Sequence, residues 1–249
     1  MAEEQRQFPT EVIDLPSKGY FYPTDNPLSS GQIELKYMTA REEDILTSAN
    51  LIQKGLAIDK LLESLIVNKD INAKDILIGD KNSIMIASRV LGYGKDYLIE
   101  VEGEEVNVDL TSLKDKEVDL SKLEKGKNEF SFTLPHSKRK VTYKILTWGD
   151  DESIDKELEA LEKMGAEIKH EMTTRLKRRI TSVDGNSEQS FINNFVDNEF
   201  LSVDSLAFRT EIEKCVPDVD MTHKFTSILG DEKEIVVPMT TQFFWPSTK

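Results

Sequence analysis

The stretch Ile13 to Leu46, IDLPSKGYFYPTDNPLSSGQIELKYMTAREEDIL, constrains this chain more than any other. It sets three aromatics between two turns, then a strand, then a capped helix. Pro16 and Gly19 bracket Ser17-Lys18, which is turn chemistry. Tyr20, Phe21 and Tyr22 follow, and Pro23 pushes Tyr22 towards an extended conformation. Asn26-Pro27 and Ser29-Ser30-Gly31 make a second turn. Ile33, Leu35 and Tyr37 alternate with Glu34 and Lys36, the period of a half-buried strand. Thr39 opens a T-x-x-E capping box with Glu42. Ile45, Leu46, Ala49 and Ile52 recur at helical spacing as far as Gly55, a natural C-terminal cap. By itself the stretch describes a structured N-terminal arm entering a helical core. Its three aromatics have two uses, packing in that core or anchoring a partner.

Further on, Ile58, Leu61, Leu62, Leu65 and Ile66 give an amphipathic helix entered through Asp59. Asn72 caps a short turn through Asp75, Ile76 and Leu77; Gly79 breaks it, and Asp80 caps a helix on which Ile84, Ala87, Ser88 and Leu91 share a face. Gly92-Tyr93-Gly94 ends that helix. The pattern then turns to strands: Tyr97 to Val101 and Val106 to Asp109 around Glu102-Gly103-Glu104, and Asn128 to Leu134 with Arg139 to Leu146 around Pro135-His136-Ser137-Lys138. Thr111 to Lys127 between them has the weak periodicity of a surface loop.

Residues 150 to 180 read as one long helix. Ile154, Leu158, Leu161, Gly165, Ile168, Met172, Leu176 and Ile180 step by three or four in a narrow seam with charged flanks. Acids at its start (Asp150, Asp151, Glu152) and bases at its end (Arg175, Lys177, Arg178, Arg179) suit the helix dipole. That accounts for the basic cluster without a nucleic-acid patch. The seam itself is either core or a surface for another protein. Asp184-Gly185-Asn186-Ser187 is a turn, Phe191 to Val196 a short helix, and Ser202 caps another that stops before Pro217. Phe225 to Leu229 and Glu234 to Val237 form a last hairpin. Phe243-Phe244-Trp245-Pro246 ends in large aromatics that must bury against their own domain or a neighbour.

The expected fold is α+β: a mainly helical core with an inserted small antiparallel β subdomain and a C-terminal β-hairpin. Its divisions are an N-terminal arm and strand (1–38), a helical region (39–96), the β subdomain (97–147), a second helical region (148–216), and the hairpin with its aromatic tail (217–249).

The 249 residues carry a formal charge of −14. That excess argues against general affinity for DNA, RNA or anionic lipid. The one cysteine, Cys215, excludes an internal disulfide. The polar opening MAEEQRQFPT has no apolar h-region and is not expected to be a signal peptide. The longest apolar run is about four residues, against roughly 20 for a membrane span. A cytoplasmic protein, or a part of an assembly built in a cytoplasm, is expected. No catalytic or cofactor motif emerges. His170-Glu171 opens a metalloprotease-like helix, but the second histidine falls on Thr174. Three scattered histidines and one cysteine make no zinc pattern. Gly92-Tyr93-Gly94 lacks the third glycine of a dinucleotide loop. No Walker A lysine or G-x-S-x-G elbow is present. No enzyme, cofactor or metal is expected.

The segments LPSKGYFYP and SSGQIELKYMTAREEDILTS resemble a baseplate family of T-even-like contractile-tailed bacteriophages, the hub subunits and hub assembly proteins. Asp75 to Tyr97 (DILIGDKNSIMIASRVLGYGKDY), Cys215 to Met221 (CVPDVDM) and Val237 to Pro246 (VPMTTQFFWP) agree, in order along the chain. The resemblance implies a virion or assembly protein that docks on other hub proteins in the host cytoplasm; retention in the tail baseplate and oligomerisation within the hub are forms that this role takes. A transient chaperone absent from the mature particle and, further off, a tail-associated cell-wall hydrolase are the alternatives. Many members carry paired cysteines after the GYG-x-D-Y segment, like a small zinc ribbon; here the region reads IEVEGEEVNVDL, so no metal is expected. The expected partner-binding residues are Tyr20, Phe21 and Tyr22 at one end and Phe243, Phe244 and Trp245 at the other.

Overall fold

The computed structural model describes residues 8–120, 123–166, 168, 170–228, 230–239 and 243–245. Leu229 and Pro246, assigned above to the last hairpin and the tail, lie outside the described residues, as do 1–7 and part of the 111–127 loop.

The N-terminal arm is a closed lobe. β1 (Thr10–Asp14) pairs antiparallel with β2 (Gln32–Lys36), from Thr10 opposite Lys36 to Asp14 opposite Gln32. The two turns fold between them, tied by Leu15 N–H donating to Gly31 O at 2.8 Å. The capping box at Thr39 forms: the Glu42 carboxylate accepts from the Thr39 N–H (3.0 Å) and hydroxyl (2.6 Å), and pairs with Lys36 (2.6 Å). The helix it starts does not run to Gly55. It is α1 (Ala40–Thr47), broken at Ser48 (ψ 105°), then α2 (Ala49–Gln53). The Thr47 hydroxyl donates to Glu43 O at 2.9 Å, the back-bonding by which Ser and Thr compete with helix geometry.

α3 (Ala57–Leu65) buries Leu61, Leu62 and Leu65, as its spacing predicts. α4 (Ile78–Tyr93) corrects the expectation at Gly79, which lies inside the helix rather than breaking the chain before it. A Cβ on Gly79 would stand 1.9 Å from Pro217 O, so glycine is there to let another backbone cross.

β3 (Asp96–Val101) and β4 (Glu104–Asp109) form the first hairpin, turning through Glu102 (φ 53°) and Gly103 (φ 86°). The expected loop is partly structured: β5 (Lys114–Asp115) pairs with β9 (Val219–Asp220), about a hundred residues later. β6 (Phe130–Thr133) and β7 (Lys140–Tyr143) make the second hairpin, and β8 (Ile180–Val183) adds a third strand beside β7.

The long helix of 150 to 180 is a helical hairpin instead. α5 (Trp148–Lys163) starts from a Thr147–Asp150 capping box and stops at Met164, with Gly165 (φ 83°) in the left-handed conformation of a helix end. α6 (Glu171–Arg179) packs back on α5, and Ile180 opens β8 rather than closing a helix. α7 (Gln189–Asn194) leads through a π turn into α8 (Ser202–Cys215). β10 (Thr222–Thr226) and β11 (Glu232–Val236) form the C-terminal hairpin. The fold is α+β, with eight α-helices and small antiparallel sheets among the described residues.

One hydrophobic cluster draws buried residues from every part of the chain. A chain of aromatic contacts runs through it, Tyr20 to Phe21 (5.6 Å), Phe130 (5.8 Å), Tyr143 (5.2 Å) and Phe208 (5.1 Å between centroids). Such pairs add about 0.5–1.5 kcal/mol each beyond area burial. They join the N-terminal lobe, the three-stranded sheet and α8.

Candidate protein-docking surface

The six aromatics expected to bind partners are mostly inside. Phe21 and Tyr22 are buried, as are Phe243 and Phe244. Tyr20 and Trp245 are half-buried against the same core. The Tyr20 hydroxyl donates to Leu123 O at 2.8 Å. Phe243 packs edge-on against Tyr97 at 5.0 Å and against Phe244 at 5.3 Å. Both ends therefore bury against their own chain: four of these side chains are core residues, not exposed anchors. At the N-terminus the physical reason is contact with distant elements: Phe21 packs on Phe130, and the Tyr22 hydroxyl bonds Asp80 and Leu77 of the α4 start.

Tyr22 belongs to a buried polar node. Its hydroxyl donates to Asp80 Oδ2 at 2.6 Å and accepts from Leu77 N–H at 2.9 Å. Ser17 N–H donates to Asp80 Oδ1 at 2.9 Å. Burial pushes the Asp80 carboxyl up from its ordinary value, against the pull of these donors. A second buried carboxylate, Asp204 on α8, accepts from His136 N–H (2.8 Å) and Ser137 N–H (2.9 Å) and pins the β6–β7 turn. Burial acts to raise its pKa, but the two backbone donors prevail and hold it below the carboxylate range. The spacing marks Asp80 only as a helix cap, whereas Leu77 takes that position and Asp80 lies inside the first turn of α4; it does not mark Asp204, and the partners of both lie 58 to 68 positions away. Burial likewise raises the Cys215 thiol, whose Sγ accepts from the Tyr143 hydroxyl at 3.8 Å.

Among the described residues, one surface left without a partner is the middle of the α5–α6 seam. Its ends are core: Ile154, Leu176 and Ile180 are buried. Between them Leu158 and Leu161 are half-exposed, and Met164 (83%), Ile168 (67%) and Met172 (50%) stand out to solvent. A run of apolar side chains at the turn of a helical hairpin is unusual for a surface this charged. Leu158, Leu161 and Ile168 line a groove of about 760 Å³ between α5 and the α2–α3 junction. Six carboxylates line the same groove (Asp59, Glu152, Asp155, Glu159, Glu162 and Glu171) against Lys54, Lys156 and His170. Asp155 and Glu162 make no ion pair among the described residues. Burial and the neighbouring Asp151 charge raise the Asp155 carboxyl against the pull of Arg175 and Lys81. Apolar contacts inside an acidic rim suit a partner surface of basic and aliphatic side chains, with charge guiding approach. Methionine and isoleucine supply adaptable contact there.

The residues present do not fit a zinc ribbon. Tyr97, Ile99, Val106 and Val108 of the β3–β4 hairpin are buried in the core, and packing rather than ligation holds it. Among the described residues no group of three or more His, Cys, Asp or Glu is placed to hold a metal. Among them, too, no helix is long and apolar enough to cross a membrane. No protein-family model, curated protein or solved structure matches the chain.

Proposed function

We propose that this chain is a non-enzymatic structural or assembly protein of a contractile-tail baseplate hub, which docks on other hub proteins through the α5–α6 hairpin. The observation that carries the docking role is the unpartnered seam, in which Met164 and Ile168 are exposed beside an acidic groove. Large apolar side chains held at such a turn stabilise nothing within the chain. They gain by burial against a partner, about 25 cal/mol per Å² of apolar surface covered. The family part of the reading is supported by the order and wording of the segments that resemble hub proteins, from LPSKGYFYP to VPMTTQFFWP. The net charge of −14 supports protein rather than nucleic-acid partners.

The test is genetic and structural. Deleting the gene from a contractile-tailed phage that encodes it is expected to give tails whose baseplates lack a complete hub in electron micrographs. Complementation by Met164→Asp/Ile168→Asp is expected to fail although that protein folds. Normal hubs in the deletion strain would overturn the proposal. Mass spectrometry of mature particles and of hub intermediates then separates a retained subunit from a chaperone that leaves.

A further inference from the structure

A second groove lies on the other side of the hairpin, between α6 and α8, and its chemistry is the opposite. Along α6 the residues Met172, Arg175, Leu176 and Arg179 share a face at steps of one and three. α8 supplies Arg209 and Ile212, and together they line a groove of about 550 Å³. Three guanidinium groups thus meet in a chain that has only eight arginines and a charge of −14.

Their pairing is uneven. Arg175 is committed, to Asp151 at 3.0 Å and Glu171 at 3.1 Å. Among the described residues the Arg179 side chain makes one hydrogen bond, to the backbone carbonyl Lys144 O at the long distance of 3.5 Å. Arg209 makes no hydrogen bond or ion pair among the described residues. Burial, helped by the Arg175 charge, pulls the Arg179 guanidinium down to about 10. The Asp150 charge opposes this shift but does not outweigh the desolvation. Beside it Leu176 and Ile212 are buried and Met172 is half-exposed, so the groove offers apolar contact as well as charge.

We infer that the α6–α8 groove binds an acidic amphipathic segment of a protein partner. Carboxylates sit on Arg179 and Arg209, and an aliphatic side chain between them packs on Met172, Leu176 and Ile212. A guanidinium receives a carboxylate through two parallel hydrogen bonds, which fixes the segment in one register. A polynucleotide fits less well on two counts. The net charge repels a long polyanion. Glu171 and Glu213 line the same groove and interrupt what would otherwise be a basic track. This inference concerns a groove that adjoins the hub-docking seam, since Glu171 lines both, but it rests on Arg179 and Arg209, which belong to the α6–α8 groove alone.

The test uses the full chain and a fluorescein-labelled peptide of Glu-Leu-Ala-Glu repeats, with the same peptide carrying Gln for Glu as the neutral control. Anisotropy is expected to rise with the acidic peptide and not with the control. Binding is expected to weaken at least about tenfold in Arg209→Gln, an exposed position whose change leaves the core alone, and in Arg179→Gln. It is also expected to fall as salt is raised from about 0.05 M to about 0.5 M. Equal binding of the two peptides, or undiminished binding by Arg209→Gln, overturns the inference. So does tighter binding of a single-stranded oligonucleotide that both variants lose, which gives the groove to nucleic acid. Self-association in sedimentation that disappears in Arg209→Gln gives it to a second copy of the chain, and overturns the partner named here.

Discussion

Removing one oxygen from Tyr22 should cost this protein a large share of its stability. In Tyr22→Phe the ring remains, so no cavity opens and the change isolates the hydroxyl. Two buried groups lose a partner at once. The Asp80 carboxylate loses a donor at 2.6 Å, and a hydrogen bond to a charged group contributes about 1.5–3 kcal/mol. The Leu77 N–H loses its acceptor at 2.9 Å, and an orphaned buried donor costs about 1–3 kcal/mol. The expected loss is about 3–4 kcal/mol, against a typical total of about 5–15 kcal/mol for a domain. Its pH dependence follows from Asp80. Burial holds that carboxyl above its unfolded pKa, so its ionisation costs stability as pH rises through the folded value. The Tyr22 donor offsets part of that cost only while Asp80 is charged. The effect of Tyr22→Phe should therefore be full above the raised Asp80 pKa and shrink as pH falls through it. Equilibrium urea unfolding followed by fluorescence of Trp148 and Trp245 measures it. Tyr20→Phe is the control, since its half-buried hydroxyl serves backbone carbonyls and should cost only about 1 kcal/mol. A Tyr22→Phe protein within about 0.5 kcal/mol of wild type, or no worse than Tyr20→Phe, would refute the reasoning.

Asp204→Asn places an amide N–H against one of two backbone donors, and should cost about 2 kcal/mol at neutral pH in the same unfolding assay. Because the folded pKa of Asp204 is depressed, its contribution is present above the unfolded value near 3.9 and is lost as pH falls through the folded value, so the variant should converge on wild type in acid. Phe243→Ala empties a buried ring position and should cost about 3–5 kcal/mol in a thermal melt, whereas Trp245→Ala, only half-buried, should cost less; equal and small effects would mean the tail does not belong to the core. Gly79→Ala forces a methyl group against Pro217 O and should destabilise by about 3 kcal/mol or more, with Ser83→Ala on the same helix as a near-neutral control. Met164→Asp/Ile168→Asp should leave the urea midpoint within about 0.5 kcal/mol of wild type, because both side chains already face water.

Local chemistry was legible in the sequence where it is carried by neighbours. The Thr39–Glu42 box, the α3 stripe, the Asn72 turn and the hairpins at Glu102-Gly103 and Gly230-Asp231 follow from residues within a few positions of one another. The misreadings share a cause, which is contact with distant parts of the chain. Gly79 reads as a breaker until Pro217 crosses it. The 150–180 seam keeps helical spacing through a turn, because Leu161, Gly165 and Ile168 stay in phase with a pattern that the backbone leaves. Ile180 fits that pattern too, yet it starts a strand because β7 offers an edge. The proposed docking surface was half legible. The seam was visible, and so were its two uses, but only the fold shows that its ends are core while its middle is bare. The aromatic ends misled for the opposite reason: their cluster is conspicuous, and the partners that bury the first of them, Phe130, Asp80 and Leu77, lie more than fifty positions away.

The most direct test of the central claim is size-exclusion chromatography with light scattering on the purified chain, alone and mixed with the hub proteins of a contractile-tailed phage that encodes it. A stable mixed complex that Met164→Asp/Ile168→Asp abolishes is the predicted result. A chain that elutes unchanged beside every hub protein, or a complex indifferent to that double substitution, would contradict the account.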